Sequence, residues 1–294
     1  MNKSKVFSLA GLLLGIFLLI GCTTATPTSS DIITQPPIAS PEPIDTQTSV
    51  ATHVPTETSL PTETQETVES QLTEPDVDYI SGGLLYDDWM KQLEVEAPAE
   101  DHPLWKTQDT NSRSGKDTWR CKECHGWDYK GLEGAYGSGS HLTGFIGVLD
   151  SVSMTEVELL AWMDGSENSE HSFSGYFQEA EMTLIVNFLK YGLFDTADYI
   201  NPDKSVTGGD ELNGKVLFDG LCAACHGEDG KTLNFGDEEK PEYVGTIAFD
   251  NPWEFWHKTS FGHPNSQMVS VLRIGWSLQD IADVLTYSQT LPTE

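Results

Sequence analysis

Apolar and polar residues are distributed very unevenly along this chain of 294 residues. An apolar run over 6–20 follows two lysines, a pattern typical of export signals that are removed from the mature protein. Residues 23–78 are mainly Thr, Ser, Pro and Glu, and a segment with so few large apolar side chains cannot bury enough surface to fold. The pattern predicts a signal peptide over 1–22, a disordered tether over 23–78, and folded chain after it.

The folded part has the periodicity of helices rather than of strands. Two sets of apolar residues repeat with the spacing of one helix face. These sets are Met182, Ile185, Val186 and Leu189, ending at Tyr191-Gly192, and Leu278, Ile281, Ala282 and Leu285. The stretch GGLLYD over 82–87 also matches GKVLFD over 214–219. We therefore expect a mainly α fold, with an early helix from about Gly82 to Leu93.

Four of the five cysteines form two Cys-x-x-Cys-His motifs, CKECH over 121–125 and CAACH over 222–226. Each motif offers two thiols for thioether bonds to haem and an imidazole to the iron. Three alternatives compete: a zinc ribbon, structural disulfides and a thioredoxin-like redox site. The motifs lie too far apart for a zinc ribbon. A disulfide within so tight a motif is usually redox-active rather than structural, and neither motif has the βαβ context of a thioredoxin-like site.

At these residues the chain resembles class I cytochromes c, twice in tandem. The resemblance implies two cytochrome c domains, 79–200 and 201–294, each wrapping helices around one covalent c-type haem. It implies attachment through Cys121 and Cys124, and through Cys222 and Cys225. It also implies His125 and His226 as proximal iron ligands, Met268 as the distal ligand of the second haem, and Tyr287 as the aromatic that crosses Phe218.

The distal ligand of the first haem departs from this pattern. GSENSEH over 165–171 has the frame of GHPNSQM over 262–268, with histidine where the second segment has methionine. His171 follows His125 by 46 residues and Met268 follows His226 by 42, so both end residues hold similar positions before a final helix. We predict His171 as the ligand. Its rivals are Met163, Met182 and His141, and we interpret His102, His257 and His263 as surface or packing residues.

In the first half, Tyr86 lies much further from its cysteine motif than Phe218 does from the second, which predicts a long detour between helix and motif. The detour is rich in cationic and aromatic residues that suit the anionic propionates of a haem. These residues are Trp105, Arg113, Lys116, Trp119 and Arg120, and Trp127, Tyr129 and Lys130 directly after the first motif continue the set.

The fifth cysteine, Cys22, ends the sequence Leu19-Ile20-Gly21-Cys22, which resembles the lipobox of bacterial lipoproteins. The resemblance implies export and a lipid anchor at Cys22, on the outer face of the cytoplasmic membrane or in the periplasm or outer membrane. The alternative is ordinary signal cleavage beside an incidental cysteine.

The net charge of −30 argues against nucleic-acid binding and favours redox partners with basic docking faces, although plain solubility would also explain it. We interpret the chain as an anchored dihaem electron carrier rather than an enzyme. The alternatives are a dihaem oxidoreductase, either a peroxidase or a thiosulfate dehydrogenase-like enzyme, with a labile distal ligand at the first haem, and a haem subunit of a larger respiratory complex.

Overall fold

A computed structural model describes residues 78–294, so the predicted signal peptide, Cys22 and the tether lie outside the described residues. Nine α-helices lie within 78–294, where only two isolated β-bridges and no strands occur. The helices are α1 (Tyr79–Leu93), α2 (Cys121–His125), α3 (Glu156–Asp164), α4 (Glu179–Asn187), α5 (Glu211–Leu217), α6 (Ala223–His226), α7 (Val244–Asp250), α8 (Pro252–Phe261) and α9 (Leu278–Ser288). None of these nine helices is long and apolar enough to cross a membrane. The predicted mainly α fold is confirmed for this part of the chain.

Helix α1 packs against α4 through a glycine. A Cβ atom at Gly82 would lie 2.0 Å from the Leu184 carbonyl oxygen, so only glycine allows this approach. One turn later the ring of Tyr86 meets that of Phe188, with centroids 5.2 Å apart. The helix predicted from about Gly82 begins earlier, at Tyr79, because the Asp78 side chain accepts a hydrogen bond from the Ser81 amide and caps it.

Helices α5 and α9 cross in the same manner. A Cβ atom at Gly214 would lie 1.9 Å from the Asp283 carbonyl oxygen. The ring of Phe218 packs edge-on against Tyr287 at 5.5 Å, so the predicted pairing of these two aromatics is confirmed. The two sets of apolar residues that the sequence predicts on one helix face point into the core. Ile185 of α4 and Ile281 of α9 are fully buried examples.

The described residues belong to one compact unit that contains two hydrophobic clusters. The first cluster is built mainly from residues 85–189, and the second mainly from residues 200–291. The clusters exchange residues, because Phe261 packs in the first while Trp127 and Tyr136 pack in the second. Each half therefore completes the core of the other.

The predicted detour between α1 and the first cysteine motif is present over 94–120, with two short 3₁₀ turns. Indole hydrogen bonds fix it: Trp89 Nε1 donates to the Trp119 carbonyl at 2.9 Å, and Trp119 Nε1 donates to the Glu100 carbonyl at 2.8 Å. These hydrogen bonds hold the detour in place beside the first motif.

Candidate cofactor sites

The two cysteine motifs fold into the same local structure. Each forms a short helical turn ended by a glycine, and Gly126 and Gly227 have φ values of 79° and 81°, a region that favours glycine. The carbonyls of His125 and His226 then accept hydrogen bonds from the amides of Gly131 and Thr232, both at 2.9 Å. Each motif thus holds its histidine and cysteines at a fixed turn.

Of the four motif thiols, those of Cys121 and Cys222 lack the lowered pKa that marks redox-active cysteines. All four are free of disulfides. Burial raises the pKa of Cys121 to about 12 and that of Cys222 to about 11, whereas redox-active cysteines have lowered pKa values. Among residues 78–294 no three His, Cys, Asp or Glu side chains form a group that could hold a metal ion, so the two pairs do not combine as in a zinc ribbon.

A cavity of about 1140 Å³ opens beside the first motif. It exceeds the volume of about 300–1,000 Å³ that is usual for small-molecule pockets. Cys121, Cys124 and His125 lie on its wall, and the rest of the lining is mostly apolar and aromatic. A large, mostly apolar group attached to the motif therefore fits the residues present. We call this cavity with its motif the first site, and the Cys222, Cys225 and His226 motif the second site.

His171 faces His125 across this cavity. The Nδ1 atom of His125 lies 2.7 Å from the Ile146 carbonyl oxygen, and that of His171 lies 3.2 Å from the Trp162 carbonyl oxygen. A carbonyl oxygen only accepts, so each Nδ1 carries the proton and each Nε2 keeps a free lone pair. This is the arrangement in which a second hydrogen bond orients an imidazole for metal binding.

The spacing of these two rings suits a single metal ion between them. Histidine nitrogens bind metals at about 2.0–2.1 Å, so two imidazoles on opposite sides of one ion have ring centres roughly 6.5 Å apart. The observed separation of the His125 and His171 centroids is 6.2 Å. Burial lowers the pKa of both rings, that of His125 to about 4 with a further contribution from His171, so both are neutral near pH 7 as ligands must be.

His102 is a cavity residue that the sequence did not reveal. Its interpretation as a surface or packing residue holds for packing, because it is buried with its ring 4.6 Å from that of Trp119. It also lines the cavity, with its ring 6.0 Å from that of His171, which the sequence does not indicate. Burial, followed by the neighbouring His171 and His125, lowers its pKa to about 4. No local pattern marks this histidine, because the detour brings it to the site through long-range packing.

The other candidates for the distal position differ in location. Met182 is buried on α4 and does not line the cavity. His141 also lies outside the lining, stacked on Tyr136 with centroids 4.5 Å apart. Met163 does line the cavity and is buried, and Met154, which we did not consider, lines it too. The thioethers of Met154 and Met163 are therefore the structural rivals of His171.

The cationic residues of the detour are used differently from our expectation. Arg113 pairs with the buried Glu123 at 2.6 Å, and Lys116 is exposed, so neither lines the cavity. Arg120 does line it, but its guanidinium is bound to Asp87 at 2.5 Å. Arg113 and Arg120 thus form ion pairs with buried carboxylates, which would be costly to leave unpaired. Lys130, which follows the first motif and belongs to the same predicted set, does line the cavity and pairs with Asp195 at 2.7 Å.

The second site shares the motif turn but lacks the same support for its histidine. The Nδ1 atom of His226 is buried without a hydrogen-bond partner, and burial lowers the pKa of this ring. Met268 is half-buried in the loop between α8 and α9, and its amide is held by Ser266 Oγ at 3.2 Å. Cys222 packs against the second hydrophobic cluster.

Residues 212–292 match the family model described as Cytochrome c. The match covers α5 to α9 with the second motif, and so supports a cytochrome c domain in the carboxy-terminal part of the chain. Such a domain implies covalently bound c-type haem and haem-based electron transfer. Neither a curated protein nor a solved structure matches the chain.

Proposed function

We propose that this chain is a dihaem c-type cytochrome that passes electrons between extracytoplasmic partners. The observation that carries the proposal is the first site, which lies outside the family match. There a Cys-x-x-Cys-His motif borders a large apolar cavity with two neutral imidazoles on opposite sides. Such a site has the parts needed for a second covalent haem.

A tandem arrangement is supported by two parallels between the halves. The motif turns share their glycine conformation and their hydrogen bonds. The helix crossings share a glycine in close contact with a carbonyl and an aromatic pair one turn later. Because the helix crossings join residues about 70 to 100 positions apart and occur in both halves, a common fold is a simpler explanation than chance.

A c-type haem supplies a one-electron iron couple when it is bound. In the first site, the thiols of Cys121 and Cys124 would attach it, and His125 and His171 would ligate its iron. The Ile146 and Trp162 carbonyls hold these rings in the correct tautomer. In the second site, Cys222 and Cys225 would attach the group, with His226 and Met268 as iron ligands.

This difference in ligands sets a direction for electron flow. Methionine opposite histidine raises the reduction potential of a haem relative to two histidines. An electron that enters at the first site would therefore move downhill to the second. We further propose that a lipid on Cys22 anchors the protein at the outer side of a membrane, and that its acidic surface docks basic redox partners.

The haem content of the purified full-length chain tests this proposal. We expect two haems per chain, determined by absorbance of the reduced pyridine complex and by intact mass. Replacing Cys121 and Cys124 with alanine should leave one haem, and the matched Cys222 and Cys225 variant should do the same. A wild-type chain with a single haem would refute the dihaem proposal, whereas loss of haem only in the second variant would leave a monohaem cytochrome.

One observation favours the alternative of a dihaem oxidoreductase. His102 places a second neutral imidazole beside His171, where it could donate a hydrogen bond to a small molecule that displaced His171. Cyanide and peroxide added to the oxidised protein distinguish the two functions. Slow or absent binding supports the carrier, and rapid binding with peroxide turnover at the first site supports the enzyme.

A further inference from the structure

The loop that carries Met268 is docked onto the end of α1, in the opposite half of the molecule. The Asn265 amide donates a hydrogen bond to Gln92 Oε1 at 2.9 Å. The Asn265 side-chain amide donates to Glu94 Oε1 at 3.1 Å. Asn265 has a φ of 44°, a conformation that asparagine tolerates better than most residues.

A buried ion cluster lies beside the contact between Asn265 and the end of α1. Lys258, on α8, lies 2.6 Å from the Asp87 carboxylate of α1. The ring nitrogens of His263 lie 3.1 Å from Lys258 Nζ and 2.8 Å from Lys91 Nζ. Since Asp87 is fully buried and Lys258 largely so, this pairing is far less screened than a surface ion pair.

Hydrogen bonds within the loop connect this docked surface to Met268. Ser266 Oγ donates to the His263 carbonyl at 2.8 Å and accepts from the Met268 amide at 3.2 Å. The Met268 carbonyl oxygen lies 2.6 Å from the position of a Cβ atom at Gly262, so the loop closes tightly on the end of α8. A displacement of His263 or Asn265 would therefore shift the backbone of Met268.

We propose that Gln92, in the last turn of α1, and Glu94, directly after it, are positioning residues for Met268, so that ligation at the second site depends on a helix end of the first half. This inference rests on the proposed function, in which Met268 binds the second iron. The thioether is a weak, neutral ligand, and its retention depends on how firmly the protein presents it. The contact would make the ligand field of one site sensitive to the structure around the other.

The test uses the full-length holoprotein with Gln92→Ala and Glu94→Ala combined. This variant removes both acceptors of Asn265 without changing the loop. Glu96→Ala is the matched control, because Glu96 is an exposed acidic residue just beyond the same helix end. The readouts are the thioether-to-iron absorption band of the ferric protein, the rate at which added imidazole replaces that ligand, and hydrogen exchange over 262–270.

We expect the double variant to bind imidazole about two- to tenfold faster than the wild type, as the loss of one or two hydrogen bonds implies. Exchange over 262–270 should rise with it, and Glu96→Ala should change neither. Wild-type rates and exchange in the double variant would overturn the proposal. A wild type without the thioether band, or a Met268→Ala variant that keeps the band, would refute both the ligand assignment and the positioning role. In that case, altered hydrogen exchange in the double variant would show only a structural contact.

Discussion

At the scale of residues, the opposed imidazoles of His125 and His171 give the sharpest prediction. We expect the ferric protein to show a low-spin bis-imidazole electron paramagnetic resonance signal that His171→Ala abolishes, because that variant removes one of the two rings. His141→Ala is the control, since His141 lies outside the cavity. Persistence of the signal in His171→Ala would assign the ligand to another histidine, and a thioether band at the first site would point to Met154 or Met163.

His102 provides a second prediction at this scale. In His171→Ala, His102 is the imidazole that remains beside the vacated position, 6.0 Å from the original ring. We expect added imidazole to restore the low-spin signal, and to bind less tightly, by about two- to tenfold, when His102→Phe removes a hydrogen-bonding neighbour. Titration followed by absorbance measures both affinities. Equal affinity with and without His102 would make this residue a packing element only.

The residues that were predicted and those that were missed differ in the kind of signal they carry. The cysteines and histidines of both motifs are visible because their spacing is local, and His171 because a second copy of its frame exists in the chain. Whether His171 binds iron stays a prediction, but its place opposite His125 agrees with it. His102 reaches the cavity through long-range packing, which sequence spacing does not encode.

At the scale of elements, the glycine crossings test how closely the helices must pack. We expect Gly214→Ala to destabilise the protein by about 1–3 kcal/mol, because the added methyl group would overlap the Asp283 carbonyl. Gly220→Ala is the control on the same segment, since nothing lies within 4 Å of its Cβ position. Denaturant unfolding of the holoproteins measures both, and equal stability would show that α5 and α9 can separate without cost.

The ion cluster at α1 predicts a dependence of stability on pH. Burial alone would raise the pKa of Asp87, but Lys258 and Arg120 outweigh it and hold this pKa well below its usual value of about 3.9. Asp88, His257 and His263 also face this carboxylate or its partners. Because the pKa is lower in the folded state, the stabilising contribution is fully present above about pH 4 and is lost as the pH falls further.

We therefore expect Asp87→Asn to lower the free energy of unfolding by about 3–5 kcal/mol near pH 7, since it removes the buried counter-ion that Arg120 and Lys258 share. Their remaining carboxylates, Asp88 and Glu254, lie further away, at 3.8 and 3.9 Å. The difference from wild type should shrink below about pH 4. Asp88→Asn is the control, because its carboxylate is more exposed and lies 3.8 Å from Arg120. A difference that stays constant with pH would show that Asp87 acts through packing rather than charge.

The same elements show where sequence reasoning succeeded. Helix α1 and its separation from the motif were predictable because GGLLYD matches GKVLFD within the same chain, and both sets of apolar residues were predictable from their helical periodicity. The sharing of the two cores was not predictable, since nothing in the local sequence around Phe261 or Trp127 indicates that these side chains pack in the cluster of the opposite half.

At the scale of the whole molecule, haem attachment and folding should be inseparable. With all four motif cysteines replaced by alanine, we expect the helical circular dichroism signal to fall and thermal unfolding to lose cooperativity. The reason is that the apolar walls of a cavity of about 1140 Å³ would have nothing to pack against. Each single-motif variant, which keeps one haem, serves as an intermediate control. A haem-free chain with wild-type helicity would show that the cores suffice alone.

The exchange of Phe261 between the halves has an evolutionary consequence. A Cβ atom at Gly83 would lie 2.5 Å from the ring of Phe261, so a larger side chain at position 83 fits only if the side chain at position 261 is smaller. If the halves arose by duplication, they have since become fitted to each other, and neither could be exchanged for a homologous copy alone. In related sequences, a larger residue at position 83 should accompany a smaller one at position 261.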